Sequence, residues 1–347
     1  MFKRAFVSGI GILAALLALS PPVAGYSEDF LVQLLEKANN SPALVDYIGN
    51  QVVVDGTGGD EHTTVVKIFH RRPGLTRYEY QESADRAGWV VIDDGADIWQ
   101  FEPRGRLVIS FRSISGARLR QQQAEELELL RRNYRFRHGG IGKVADREAH
   151  IVEITPKHPG SPSQRLWIDR ENSLTLKTEK FRANGSLEYL SYFVDIDMAA
   201  SPDEELFQVK IPPGVDVVRH PGVNIFEPVP VLRAKTGVNI RLPNRLPPGF
   251  VFAGASMAAL AQFKGGVYLK FTDGLNVISL FETVAPRGRV YVVDNARRVS
   301  IGGIVGYLME NCDVQLLNWT ANGTNYTLIG EVPPEVLLQM AESIGGR

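Results

Sequence analysis

LTLKTEKFRANGSLEYLSYFVDI, residues 174–196, contains two β-strand patterns on either side of a turn. Apolar and aromatic residues run through both halves, and Asn184-Gly185 between them is a strong signal for a two-residue hairpin. Strands joined by so short a turn must run antiparallel. The stretch therefore predicts an antiparallel β-sheet.

Similar patterns extend this sheet towards the N-terminus. Residues 76–81 alternate Thr, Tyr and Tyr with charged or polar side chains, the period of a strand with one buried face. A helix follows Ser27, and a second, with an apolar face from Ala124 to Tyr134, interrupts the strands. Ten or eleven strands and two helices predict a large unclosed barrel, or curved sheet, wrapped around a helix. The predicted strands are 47–54, 63–70, 76–80, 89–92, 98–101, 107–111, 143–145, 150–155, 165–169, 174–181 and 187–196.

The remaining chain predicts a second, smaller unit. Residues 201–240 lose periodicity and are rich in proline, which is typical of a linker between domains. Residues 241–347 show short strands and then a helix that opens at Pro333-Pro334. We therefore expect a large domain at 26–200, a linker at 201–240 and a small antiparallel domain with a C-terminal helix at 241–347. The fold class is α+β, mainly antiparallel β.

The first 25 residues resemble a secretory signal peptide. Lys3 and Arg4 precede an uncharged apolar stretch, and Val23-Ala24-Gly25 offers small residues for cleavage near Gly25. A retained anchor helix is the alternative. The cleavage region has no cysteine, which argues against a lipid-anchored protein. The sequence predicts export, and the style of signal favours the bacterial periplasm.

Composition and motifs argue against several functions. The 38 basic and 39 acidic residues give a formal charge of −1, which disfavours nucleic-acid binding. The one cysteine, Cys312, excludes an internal disulfide framework and a Cys-rich zinc site. The strongest catalytic candidate is Ser256, in a degraded nucleophile elbow that lacks its second glycine. We therefore expect no enzyme activity, no metal and no cofactor. The acidic groups Asp60-Glu61-His62 and Asp93, Asp94 and Asp97 fit turns better than metal sites.

Two sets of side chains are candidates for binding. Aromatic residues of the large sheet either form ordinary core or line a pocket for acyl chains. Arginines around the second helix either form a solvated face or clamp anionic head groups or an acidic partner. The pocket candidates are Tyr78, Tyr80, Trp89, Trp99, Phe101 and Phe111, and the clamp candidates are Arg118, Arg120, Arg131, Arg132 and Arg135.

An ordered set of short motifs spans nearly all of the chain after residue 25. On these motifs the chain resembles the RseB/MucB family, periplasmic regulators of the envelope-stress sigma factor. The motifs are Phe101-Glu102-Pro103, Ala145-Asp146-Arg147, Leu166-Trp167-Ile168-Asp169, Leu246-Pro247-Pro248-Gly249-Phe250, Thr272-Asp273-Gly274-Leu275 and Leu328-Ile329-Gly330-Glu331-Val332-Pro333-Pro334, with a helix ending Ala341-Glu342-Ser343-Ile344.

The resemblance implies a large domain like the lipoprotein carriers LolA and LolB, with a smaller C-terminal domain packed against it. It implies a non-enzymatic protein that binds the periplasmic part of a single-pass anti-sigma factor and shields it from proteolysis. Lipid or lipopolysaccharide would then release that partner. A periplasmic carrier of lipoproteins or lipids is the alternative function. The oligomeric state stays open, a homodimer included.

Overall fold

The structure is a computed structural model that describes residues 26–344, apart from 57–61, 84–85, 114–115, 212, 221–225, 259–260, 286–295 and 312–313. The predicted signal peptide, Asp60, Glu61 and Cys312 lie outside the described residues. Among the residues described, no helix has the length and apolarity required to span a membrane.

The first half of the chain forms a twelve-stranded curved sheet. Its spatial order is β12-β6-β5-β4-β3-β2-β1-β11-β10-β9-β8-β7, so the two edge strands are not paired and the barrel stays unclosed. All neighbours are antiparallel except β12, which lies parallel to β6. The strands are β1 (Tyr47–Asp55), β2 (His62–Arg71), β3 (Leu75–Glu82), β4 (Val90–Asp93), β5 (Asp97–Phe101), β6 (Leu107–Arg112), β7 (Tyr134–Val144), β8 (Arg147–Pro156), β9 (Ser163–Asp169), β10 (Thr175–Phe181), β11 (Leu187–Asp197) and β12 (Asp216–His220).

Two helices belong to this sheet, α1 (Glu28–Asn40) and α2 (Gly116–Asn133). Ser27 caps α1 because its Oγ accepts the N–H of Phe30. The buried leucines of α1 share a core with Val152, Ile154 and Ile168 of β8 and β9. The helix therefore covers one face of the sheet, which we call the inner face.

The second half forms a seven-stranded antiparallel sheet with the order β13-β14-β15-β19-β18-β17-β16. The apolar side of the C-terminal helix, with Leu337 and Met340, is buried in its core. The predicted fold class is confirmed. The elements are β13 (Val251–Met257), β14 (Val267–Thr272), β15 (Val277–Val284), β16 (Arg297–Ile301), β17 (Ile304–Asn311), β18 (Val314–Ala321), β19 (Thr324–Gly330), α3 (Val229–Thr236) and α4 (Pro334–Ile344).

One local prediction is wrong, and one segment contains more regular structure than its sequence pattern indicates. The proline-rich region 201–240 contains a short 3-10 helix (Glu204–Phe207), β12 and α3. Its prolines precede or open elements rather than interrupt them, as Pro228 and Pro230 do at α3. In addition, α2 ends at Asn133, so Tyr134 begins β7 instead of lying on the helix. Tyr134, Phe136 and His138 alternate with Arg135 and Arg137, so the period of two expected of a strand is present in this segment.

Candidate functional site

The two sheets meet where α2 passes into β7. Asn133 donates from Nδ2 to the carbonyl oxygens of Gly249 and Asp273, at 2.9 Å each. The adjacent Tyr134 hydroxyl donates to Oδ2 of Asp273 at 2.8 Å. The end of one helix is therefore fixed to the turn between β14 and β15. We call this contact the seam.

The turn is shaped to accept the helix. Asp273 is 1% exposed, and its Oδ1 accepts the N–H groups of Leu275 and Asn276. Gly274 has φ +104°, and a Cβ there would lie 2.8 Å from the backbone nitrogen of Leu130. Glycine is thus required both by the backbone conformation and by the approach of α2.

Ion pairs reinforce the contact between the sheets. Lys180 of β10 donates to Glu188 at 2.8 Å and to Glu331 of the small sheet at 2.9 Å. Lys270 of β14 pairs with Glu126 of α2 at 3.1 Å. The Lys180–Glu331 and Lys270–Glu126 pairs join the two sheets and are partly shielded from solvent. These two pairs therefore also help to orient the sheets.

A groove of about 1140 Å³ lies beside the seam, between α2 and strands β13 and β14. One wall is β13, an edge strand on which Val251 is 38% exposed and Phe252 nearly as much. At one end Arg118 of α2 donates to the carbonyl oxygen of Phe226 at 3.1 Å. The groove therefore combines a strand edge, exposed apolar side chains and charged groups of both signs.

The structure does not bring the five predicted clamp arginines together at one place. Arg118 and Arg132 line the groove, and Arg132 pairs with Glu128. Arg120 and Arg131 line a separate cleft of about 260 Å³ between α1 and α2. Arg135 is exposed on β7. A helix turns 100° per residue, so neighbouring positions of α2 face different partners.

The sheet itself holds a cavity of about 510 Å³, lined in part by Tyr78, Tyr80 and Tyr189. Val66 pairs with Tyr80 and Ile68 with Tyr78, which places both tyrosines on the inner face. Burial raises the pKa of Tyr78 to about 12, so its hydroxyl stays neutral at physiological pH. The remaining lining mixes apolar and polar groups: Gln51, Val53, Asp55, His62, Thr64, Val66 and Arg86.

The six predicted pocket aromatics are also divided. Tyr78 pairs with Val91 of β4, so Val91 also lies on the inner face. The next residue of β4, Ile92, points to the opposite face and pairs with Trp99, so Trp99 projects from the outer face. Phe101 lies two residues further along the same strand and shares that face. Phe111 and Trp89 are on the side of Tyr78 and Tyr80 but do not line its cavity. Of the six candidates, Tyr78 and Tyr80 line this cavity.

The other candidates adopt turn or strand roles. The Asp93 and Asp94 carboxylates accept N–H groups of Gly95, Ala96 and Asp97, as in a tight turn. Ser256 lies on β13 and donates to the carbonyl oxygen of Met257. In the part of the chain that the structure describes, no group of three or more His, Cys, Asp or Glu side chains could hold a metal ion.

Comparison with known proteins assigns this architecture. The family model of the MucB/RseB N-terminal domain matches residues 31–213, and that of a domain of unknown function, DUF4367, matches residues 243–344. The chain belongs to the MucB/RseB family. It is also 25% identical over 211 residues to an outer-membrane lipoprotein carrier protein of Azotobacter vinelandii, covering 59% of this chain and 95% of the carrier.

Solved structures show the same fold over most of the chain. A Pseudomonas aeruginosa MucA/MucB complex matches with a TM-score of 0.58 and 20% identity, covering 90% of this chain and 97% of the other. A structure of MucB in complex with MucA(peri) gives 0.57 and 19%, with the same coverage. Both sheets are therefore shared with these structures.

Proposed function

We propose that this chain is a non-enzymatic periplasmic regulator that binds the periplasmic part of a single-pass anti-sigma factor and shields it from proteolysis. Membership of the MucB/RseB family carries the proposal. Structures similar to this chain are of MucB bound to MucA, and they extend over both sheets. Signal-like residues 1–25 support export to the periplasm.

The groove beside the seam suits such a partner. It is more than twice the volume of the sheet cavity and has walls from both halves of the molecule. The Glu227 N–H already donates to the Ala255 carbonyl of β13, so the part of this edge near Val251 offers backbone groups to an extended segment, and exposed Val251 and Phe252 offer apolar contact. A partner seated there touches both sheets at once.

Val251→Asp is expected to weaken partner binding at least tenfold, because it places a charge in the apolar wall of the groove. The measurement is the Kd of the mature chain for the periplasmic segment of its host's anti-sigma factor, with protection of that segment from protease as a second readout. Val194→Asp is the matched control, since Val194 is 53% exposed on β11, away from the groove. Equal loss in both variants, or none in Val251→Asp, contradicts the groove. Failure of the wild-type chain to bind or protect the segment contradicts the regulatory function.

We further propose that the sheet cavity binds an acyl chain and is the element that senses lipid. The sequence relationship to lipoprotein carriers and the tyrosine-lined cavity on the inner face support this. Tyr80→Ala is expected to weaken binding of a fluorescent fatty-acid probe about fivefold to tenfold, because it removes apolar contact area. Phe101→Ala, an aromatic change on the outer face, is the control. Loss of probe affinity in Phe101→Ala but not in Tyr80→Ala would contradict this site.

A carrier of lipoproteins or lipids is the second candidate function, favoured by the carrier relative and the cavity. Capture of the tagged chain from its host envelope distinguishes the two. Recovery of a single-pass membrane protein with a cytoplasmic sigma-binding domain supports regulation. A range of acylated lipoproteins without such a protein supports transport.

A further inference from the structure

Two histidines from neighbouring strands meet beneath the start of α1. His138 Nε2 of β7 lies 3.0 Å from His150 Nδ1 of β8. The Tyr26 ring stacks on His138, with centroids 4.1 Å apart, and the Phe30 ring meets His150 edge-on at 5.6 Å. Tyr26 and Phe30 also contact each other. This aromatic cluster fastens the N-terminal end of α1 to the sheet.

The hydrogen bonds define where the protons are. The N–H of Gly140 donates to His138 Nδ1 at 3.2 Å, so that nitrogen carries no proton. His138 must then carry its proton on Nε2 and donate it to Nδ1 of His150. Both imidazoles are therefore neutral, each in a single tautomer. A charged imidazole carries a proton on both nitrogens, so charging either ring breaks one of these two bonds.

The surroundings give little support to a charged ring. His138 is only 7% exposed, and burial lowers its pKa below the ordinary value. Burial also lowers the pKa of His150, helped by His138 and by the positive charge of Arg170. Arg170 is itself paired with Glu148. Phe30 of α1 and Tyr26, two residues before the helix, face the pair, and among the described residues neither imidazole forms a hydrogen bond or ion pair with a carboxylate.

We propose that the His138–His150 pair is a proton-sensitive latch that holds the N-terminal end of α1 on the sheet when neutral and releases it in acid. The inference is independent of the anti-sigma partner and of the lipid cavity. Release of this end would also loosen α1 beside the cleft that it forms with α2, which Val32 and Arg131 line. The folded state favours the neutral pair, so its contribution to docking is complete above pH 6.5 and is lost as the pH falls.

Hydrogen exchange of the mature chain tests the latch. Amide protection in residues 26–35, corrected for intrinsic exchange, is expected to be at least fivefold lower at about pH 5.5 than at about pH 7.5, while α4 changes less than twofold. His150→Asn keeps an acceptor for His138 and cannot be protonated there, so the response is expected to fall by at least half. His158→Asn, outside the cluster, is expected to respond like the wild type.

Equal protection of residues 26–35 at both pH values in the wild type overturns the latch, and so does an undiminished response in His150→Asn. If that variant does not fold, nitrogen NMR of the wild-type imidazoles replaces it. The expected spectrum shows both rings neutral at pH 7, with His138 protonated on Nε2. A charged ring at pH 7, or His138 protonated on Nδ1, overturns the proposal.

Discussion

Asp273→Ala is expected to lower the free energy of unfolding by roughly 3–5 kcal/mol and to split unfolding into two transitions. The carboxylate is buried in the seam and accepts four donors: the Tyr134 and Ser161 hydroxyls and the N–H groups of Leu275 and Asn276. Alanine leaves these donors without partners inside the protein. Since two of them belong to the large sheet and two to the small sheet, their loss uncouples the sheets.

Calorimetry and denaturant titration of the mature chain measure this effect. Asp203→Ala is the control, because Asp203 also accepts a backbone N–H, that of Glu205, but at the exposed start of a 3-10 helix. It is expected to cost about 1 kcal/mol or less and to keep the wild-type number of transitions. A single transition in Asp273→Ala with a loss below about 1 kcal/mol would show that the seam does not couple the sheets.

The seam gives a physical meaning to several motifs behind the family resemblance. Thr272-Asp273-Gly274-Leu275 forms the turn against which the end of α2 packs. The carbonyl oxygen of Gly249 accepts a hydrogen bond from Nδ2 of Asn133, and Glu331 forms an ion pair with Lys180. In the large sheet Arg147, after the tight β7–β8 turn, forms an ion pair with Asp169 at the end of β9. These motifs therefore hold strands and sheets together.

The local part of the fold could be predicted from the sequence. The Asn184-Gly185 turn, the capped start of α1 and the apolar face of α4 each depend on residues close together in the chain. Non-local relations could not be predicted in this way. Whether Trp99 shares a face with Tyr78 depends on the register of three strands, and a shift of one residue reverses it.

The candidate site shows the same division. The sequence identified α2 as an arginine-rich helix, but its two sides face different partners because the small sheet docks on one of them. Asp273 and Glu331 belong to the motifs that carry the family resemblance, yet nothing in those motifs indicates which side chains of the large sheet they contact. Tyr134 and Lys180 lie far from them in the chain, so those pairs become visible only once the sheets are placed together.

Glu282→Gln is expected to stabilise the protein in alkaline solution by roughly 2–4 kcal/mol and to have little effect near pH 5. Glu282 lies on β15 with no exposed surface, and both of its oxygens accept the N–H of Arg241 at 3.2 Å. Burial raises the pKa of Glu282 to about 8, against the opposing influence of that N–H and of Arg233 and Arg241.

A raised pKa means that the folded protein holds the proton more tightly than the unfolded chain does. The stability due to neutral Glu282 is therefore complete below its ordinary pKa of 4.5 and is lost as the pH rises through about 8. Glutamine has the shape of the neutral acid and cannot ionise, so it removes this loss.

Denaturant titration of wild type and variant at about pH 5 and about pH 8.5 isolates this group, because every other titration cancels in the difference. Glu335→Gln, at an exposed position of α4, is expected to change stability by less than about 0.5 kcal/mol at both values. If Glu282→Gln is instead less stable than the wild type at the higher pH, the ionised carboxylate stabilises the folded state. Arg233 and Arg241 would then outweigh burial, and Glu282 would hold the segment before the small sheet in place by charge.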